Sequence, residues 1–436
     1  MIQGVLPVNK RIFLRYVAQN IAGMIGLSCY ILVDTLFVSV ALGASGLAAL
    51  NLSITVFSVV TGIGQLAGIG GGTDFSLRRA EGRDAERSLP TALLCGGAAA
   101  LVFVLTGVFL AGPLSRLLGA DETTFALTTT YVRMTLLFSP VYILCSLLRG
   151  FVSNDGAPNL AMLSMLASSG LNILLDYLFM FPLGMGMFGA VLATGLSACL
   201  SAPVLLFHFF TPRCTLRLSR RLLPMRETLR LLTYGLSALV GELASAISLL
   251  TFNLLLMQLG GYIGVAAYGV IANTALVATS IFTGVGQGIQ PLASRICGAG
   301  DREGMRRLLS CTRATVAALS LSIFALVFLF AQPLAGAFNH EGDAQLLSIA
   351  VSGLRIYFAG YLFAGVNIAA AALLSAVGRP QRALVISLLR SCVLLVPAAL
   401  LLSRLLSVPG VWLSFVVTEA ACCVLSLVSV RAVQKA

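Results

Sequence analysis

The sequence has 436 residues, of which 58% are hydrophobic and 10% charged, with a mean hydropathy of +0.98 and a formal net charge of +12. Soluble domains carry about 25% charged residues, so a water-soluble fold of this length is excluded and an integral membrane protein is expected. The basic excess does not indicate nucleic acid, because it sits in short polar breaks between apolar stretches of about 20 residues, each able to cross about 30 Å of hydrocarbon.

The stretch "PVNKRIFLRY" runs into the first apolar segment without a small-residue cleavage site, so no cleavable leader is expected. Spans are predicted near 14–41, 47–75, 88–111, 124–148, 160–181 and 187–210, then near 228–258, 264–293, 308–330, 344–375, 383–403 and 410–430. The longest break, "TPRCTLRLSRRLLPMRE", reads as a linker. The expected architecture is an all-α integral membrane protein with twelve transmembrane helices in two pseudo-symmetric six-helix bundles. It divides into an N-terminal lobe (1–210), a cytoplasmic linker (211–227) and a C-terminal lobe (228–436). Basic residues collect in alternate breaks, including Arg78, Arg79, Arg83 and Arg87, then Arg213, Arg217, Arg220 and Arg221, then Arg302, Arg306 and Arg307. The other breaks hold few, chiefly Arg116 and Arg404. Positive charge favours the inner side, so both termini are expected in the cytoplasm.

The two sets of spans resemble each other. "TGIGQ" at 61–65 recurs as "TGVGQ" at 283–287 (283 − 61 = 222). The same shift relates Asn51 to Asn273, Arg133 to Arg355, Gly156 to Gly378 and Pro158 to Pro380. Repeats with an even number of spans share orientation, and substrate is then expected between the halves near mid-membrane. Asn51, Asn273 and Gln287 are candidates for lining that cleft.

Four acids fall within spans: Asp34, Asp176, Glu242 and Glu419. A charge at the bilayer centre costs roughly 3 kcal/mol or more, so such groups pair, take a proton or face a wet cavity. By helical rise, Asp34, Asp176 and Thr194 lie roughly 12, 9 and 12 Å below the outer ends of their spans. Asn172 stacks on the same face as Asp176, one turn away. An oxygen set of this kind suits a hard cation such as Na+, while two neighbouring carboxylates in low dielectric can instead hold a proton. Asp34, Asn172, Asp176 and Thr194 therefore form a candidate coupling-ion site. Glu242, matched to Asn20 by the 222-residue shift, either attracts a cationic substrate or is a paired interior acid. Glu419 is read as paired. Arg133 and Arg355 are expected to snorkel or pair, with the lining of an outward cleft as the alternative.

Nothing indicates an enzyme. No nucleophile–base set emerges, and the glycines of "GIGQLAGIGGG" follow no strand and precede no GK[ST], which removes a phosphate loop. The ten cysteines form no CxxC pair and read as small buried apolar groups. His208 and His340 have no ligand partners in sequence and receive no metal role. No cofactor is expected beyond the coupling ion.

The stretches "LVDTLFVSVALGASGLAALN", "GGTDFSLRRAEGRDAE", "RGFVSNDGAPNLAM", "LNILLDYLFMFPLGMGMFGAVLATGLS" and "GVGQGIQPLASRICGAGD" resemble the multidrug and toxic compound extrusion (MATE) family over nearly the whole chain. That resemblance implies an antiporter working by alternating access, exporting organic cations in exchange for Na+ or H+. It also implies a cation site matched by Asp34, Asn172, Asp176 and Thr194, and a seventh-helix glutamate that Glu242 resembles. The sequence departs from the family pattern at Gln19 and Ser237, where prolines are common, at Ser39, where glycine is usual, and at Asn367, where some branches carry aspartate. Expected partners are amphipathic cations and membrane lipids, with no nucleic acid, in a monomer of the inner membrane. The alternative is a flippase for lipids or lipid-linked oligosaccharides from the same superfamily.

Overall fold

The computed structural model describes residues 10–212, 214–338 and 343–435; Arg213 and His340 lie outside them. Within the described residues the chain is helical, without strands. Hydrocarbon offers no partner to a backbone N–H or C=O, and a helix satisfies both within one segment. The spans are Lys10–Gly43, Ser45–Ala80, Ala85–Phe109, Phe125–Leu137 with Ser139–Asn154, Pro158–Met180 and Gly186–Phe210. The second set is Met225–Gly261, Ile263–Gly298, Arg302–Leu329, Ala344–Ala376, Pro380–Leu406 and Val408–Ala432. Large apolar side chains such as Leu101, Phe109, Leu117, Phe210 and Leu405 are exposed. In water such a surface would drive association; in a bilayer it is solvated by lipid.

Three local features go beyond the hydropathy reading. The loops expected near 42–46 and 259–263 shrink to single breaks at Gly43 (φ +63) and Gly261 (φ +58), the non-helical residues within Lys10–Ala80 and Met225–Gly298. A side chain there would strain the backbone. The fourth span bends by 50° between Leu137 and Ser139. Pro140 lacks an N–H and its ring crowds the carbonyl of Leu136, which accepts from Ser139 Oγ at 2.7 Å instead. In the second half, the 3-10 turn Phe358–Gly360 interrupts the tenth span. Short helices Ala111–Leu117 and Ala331–Phe338 follow the third and ninth spans, where loops were expected.

The repeat is real, but its register is not uniform. Gly156 and Gly378, both at positive φ, keep the 222-residue shift, as do the helix starts Ser139 and Tyr361. The first two spans of each half do not. Their breaks at Gly43 and Gly261 differ by 218 (261 − 43), as do the span ends Ala80 and Gly298 (298 − 80). The sequence pairings Asn51–Asn273, Glu242–Asn20 and "TGIGQ"–"TGVGQ" are therefore displaced by about one helical turn. Such a slip keeps apolar faces aligned, so composition does not penalise it.

The chain forms two compact units. The N-terminal unit comprises 18–243 with 297–299, and the C-terminal unit comprises 10–17, 244–296 and 300–435. The division falls inside the seventh span, whereas the lobes read from sequence ended at 210 and resumed at 228. The linker explains part of this difference, because it packs on the N-terminal unit. Leu216 is buried with Phe75, Phe151 and Leu205, and the Leu223 N–H donates to Thr91 Oγ1 at 3.0 Å. In that unit the second and fourth spans touch backbone to backbone, since a Cβ on Gly150 would collide with the Gly68 carbonyl.

Candidate ion site and its polar surroundings

One apolar cluster of the N-terminal unit sets the site. Val38, Tyr131, Met180 and Ala190 bury one another across the first, fourth, fifth and sixth spans. Asp34, Asp176 and Thr194 lie one turn from Val38, Met180 and Ala190 on the same faces, so packing that layer brings the polar residues into the next. Asp176 is 0% and Asn172 1% exposed, with Asp34 and Thr194 at 7%. Asn172 Nδ2 donates to Thr194 Oγ1 at 3.2 Å, and Thr194 Oγ1 donates to the Ala190 carbonyl at 3.1 Å. Asp34 and Asp176 lie within electrostatic reach of each other.

Four other oxygens of the layer are unsatisfied. Asp34 Oδ1, Asn172 Oδ1 and both carboxylate oxygens of Asp176 are buried without a hydrogen-bond partner. Buried polar atoms normally find partners, and leaving several unpaired in one place is expensive. These atoms are all acceptors, so they can take a hydrogen bond from a donor, hold a proton or coordinate a cation. The fourth span adds a wall that sequence reading missed. Thr128, Tyr131 and Thr135 share one buried face, and the hydroxyls of both threonines are also unpartnered. Their i, i+3, i+7 spacing was the available signal.

The substrate-cleft candidates are divided between the two units. Glu242 Oε1 accepts from Gln65 Nε2 at 2.7 Å in the N-terminal unit. Asn51 is exposed in the same unit, and Asn273 and Gln287 are half-buried in the C-terminal one. Arg133 and Arg355 are both exposed, and the Arg355 guanidinium stacks over the Phe328 ring at 5.2 Å. Two further intramembrane arginines went unread. Arg149 is half-buried on the fourth span and donates from Nη2 to Ser146 Oγ at 3.0 Å.

Arg390 belongs to the C-terminal unit and explains Glu419. It donates from Nη2 and Nε to Glu419 Oε1 at 2.6 and 3.1 Å. Asn367 Nδ2 donates to Glu419 Oε2 at 2.6 Å, and Ser426 Oγ donates to Asn367 Oδ1 at 2.7 Å. The π-helical turn Leu389–Val393 carries Arg390. Glu419 is thus a paired interior acid, as read from the sequence. Asn367, in place of an aspartate, donates to Glu419 where a second carboxylate would repel it.

His208 also has a partner that spacing could not reveal. Its Nε2 lies 2.8 Å from Oδ2 of buried Asp155, which further accepts from the Thr215 N–H at 2.8 Å, from the Thr215 hydroxyl, and from Arg79 Nη1 at 2.9 Å. Burial alone raises the Asp155 carboxyl, but the bonds from His208 and Thr215 outweigh it and hold the group below the usual carboxylate range. Cys214 stands beside this pair. With the carboxylate oxygens already taken by donors, the arrangement is a clasp between the linker and the span ends.

The MatE family model matches residues 21–178 and again 238–401, once in each half. Multidrug export protein MepA of Staphylococcus saprophyticus subsp. saprophyticus is 26% identical over 388 residues, covering 88% of this chain and 85% of that protein. MepA of Staphylococcus aureus gives the same figures. An outward-facing multidrug resistance MATE family transporter of the MOP superfamily superposes with a TM-score of 0.91 at 23% identity, covering 98% of this chain and 96% of that one. A MOP superfamily transporter from Pyrococcus furiosus gives 0.90 at the same identity and coverage. Structural likeness at this identity establishes the fold, and the twofold family match establishes kinship: the chain belongs to the MatE family of membrane transporters.

Proposed function

We propose that the protein is an antiporter of the cytoplasmic membrane that exports amphipathic organic cations in exchange for Na+ or H+ by alternating access, with both termini in the cytoplasm. One observation carries this reading: the buried oxygens of Asp34, Asn172 and Asp176 lack partners. An inward-moving cation satisfies them, either as Na+ coordinated by these atoms with Thr194, or as a proton held by the two carboxylates. Occupation of the layer displaces substrate or favours the return step. Glu242 supplies negative charge for the organic cation, with Gln65 fixing its orientation. Moving one positive charge outward costs about 2.3 kcal/mol per 100 mV of inside-negative potential, and inward movement of one cation offsets this. Multidrug export in the MepA relatives supports the substrate class.

The test is efflux of a fluorescent cation from proteoliposomes under an imposed Na+ gradient and then under an imposed pH gradient. One gradient is expected to drive efflux, and Asp34→Asn and Asp176→Asn each to abolish it. Driven efflux that persists unchanged in both variants removes the site from the mechanism.

A further inference from the structure

Arg149 is the intramembrane charge that neither the fold nor the ion site accounts for. It lies five residues before the end of the fourth span at Asn154. An arginine so placed could snorkel to the near interface. Its guanidinium instead turns back one turn, toward the N-terminal end of its helix and the bilayer interior, to reach Ser146. Among the described residues no carboxylate lies within ion-pairing distance of it, and a single serine hydroxyl is its side-chain partner. Two other interior guanidinium groups are neutralised by carboxylates: Arg390 by Glu419, and Arg78 by Asp74 at 2.7 Å. An unpaired interior cation is costly, and it is kept here in the same unit as polar groups on three other spans.

The second span locates those groups. Gly62 packs against the Cβ of Glu242 on the seventh span, while Gly64 and Gly68 pack against Ser146 on the fourth. At about 100° per residue, Gln65 falls between these two sides, and it donates to Glu242. Tyr30 of the first span lies within electrostatic reach of both Arg149 and Glu242. Arg149, Gln65 and Glu242 are each half-buried, so all three keep accessible surface although none is at a helix end. A positive and a negative group thus flank one polar stripe inside the N-terminal unit.

We propose that Arg149 binds a carboxylate of the transported molecule, so that this site takes amphipathic zwitterions, with the cationic end toward Glu242 and the anionic end on the Arg149 guanidinium. The planar fork of arginine matches a carboxylate with two parallel hydrogen bonds, and the bound anion replaces the missing counter-charge. This rests on the export reading in which Glu242 faces the organic cation.

The experiment compares a rhodamine bearing a free carboxylate with its methyl ester, which keeps the cation and lacks the anion. Equilibrium binding of both dyes is measured by fluorescence polarisation on the purified full chain, with no ion gradient. Arg149→Gln is expected to weaken the free acid relative to the ester by about tenfold or more, and Arg149→Lys to recover part of that ratio, since it keeps the charge without the fork. Glu242→Gln is expected to weaken both dyes together. A free-acid to ester ratio that is the same in wild type, Arg149→Gln and Arg149→Lys overturns the proposal. So does a proportionate loss of both dyes in Arg149→Gln. If Glu242→Gln leaves the ester unaffected, the placement of the cation at Glu242 fails, while a shifted ratio at Arg149 still identifies the carboxylate contact.

Discussion

In the C-terminal unit, Glu419 accepts from Arg390 and Asn367, and Asn367 accepts in turn from Ser426. In the N-terminal unit, Asp176 is as deeply buried and both of its oxygens lack a partner. The same chain, in the same solvent, therefore builds one carboxylate into a closed network and leaves the other open. A closed network rigidifies its helices and has no capacity left for a ligand. An open one sacrifices stability for the ability to take something up. The contrast marks the Glu419 cluster as structural and is what the transport role proposed for the Asp34–Asp176 layer requires, and substitutions at both sites and at Asp155 test it.

The largest effect is expected at Arg390. Replacing it by leucine strands Glu419 as an uncompensated buried charge and should cost about 3–5 kcal/mol in denaturant unfolding of the detergent-solubilised protein. The double variant Arg390→Leu with Glu419→Leu should recover most of that loss. Next comes Asp155→Asn. The clasp bonds are made to a charged acceptor, and their loss should cost about 1.5–3 kcal/mol. Because the folded carboxyl lies below its ordinary value, this contribution is complete above the unfolded pKa of about 3.9 and fades as pH falls through the depressed folded value. The stability gap between wild type and Asp155→Asn should therefore hold steady above about pH 5 and close below about pH 4. The smallest stability effect is expected at Asp176→Asn, within about 1 kcal/mol of wild type or on the stabilising side, because the carboxylate oxygens there have no bonds to lose. Its ion-driven efflux should nonetheless vanish. Asp176→Asn destabilising as much as Arg390→Leu would erase the distinction between the two sites.

Span number and order were legible because the lipid solvent forces apolar runs of fixed length to be helices. Asp34, Asn172, Asp176 and Thr194 were legible because depth and an i, i+4 relation place them in one layer, and Asn172 does bond Thr194. What stayed hidden depends on distance in space rather than along the chain. Arg390 with Glu419, His208 with Asp155, and Gln65 with Glu242 lie 29, 53 and 177 residues apart, and no local pattern links them. The register of the first two spans was misread for another reason. A displacement of one turn, 222 against 218, maps each apolar face onto itself, and the breaks at Gly43 and Gly261 and the span ends at Ala80 and Gly298 separate the two alignments.

The single-residue break at Gly43 has a mechanical side. With almost no slack between Lys10–Gly43 and Ser45–Ala80, an axial shift of the first helix pulls the second with it. Any piston-like displacement at Asp34 would accordingly be felt at Gln65, without a wire of side chains between them. Lengthening that joint with inserted glycines would uncouple the two levers and leave each helix intact.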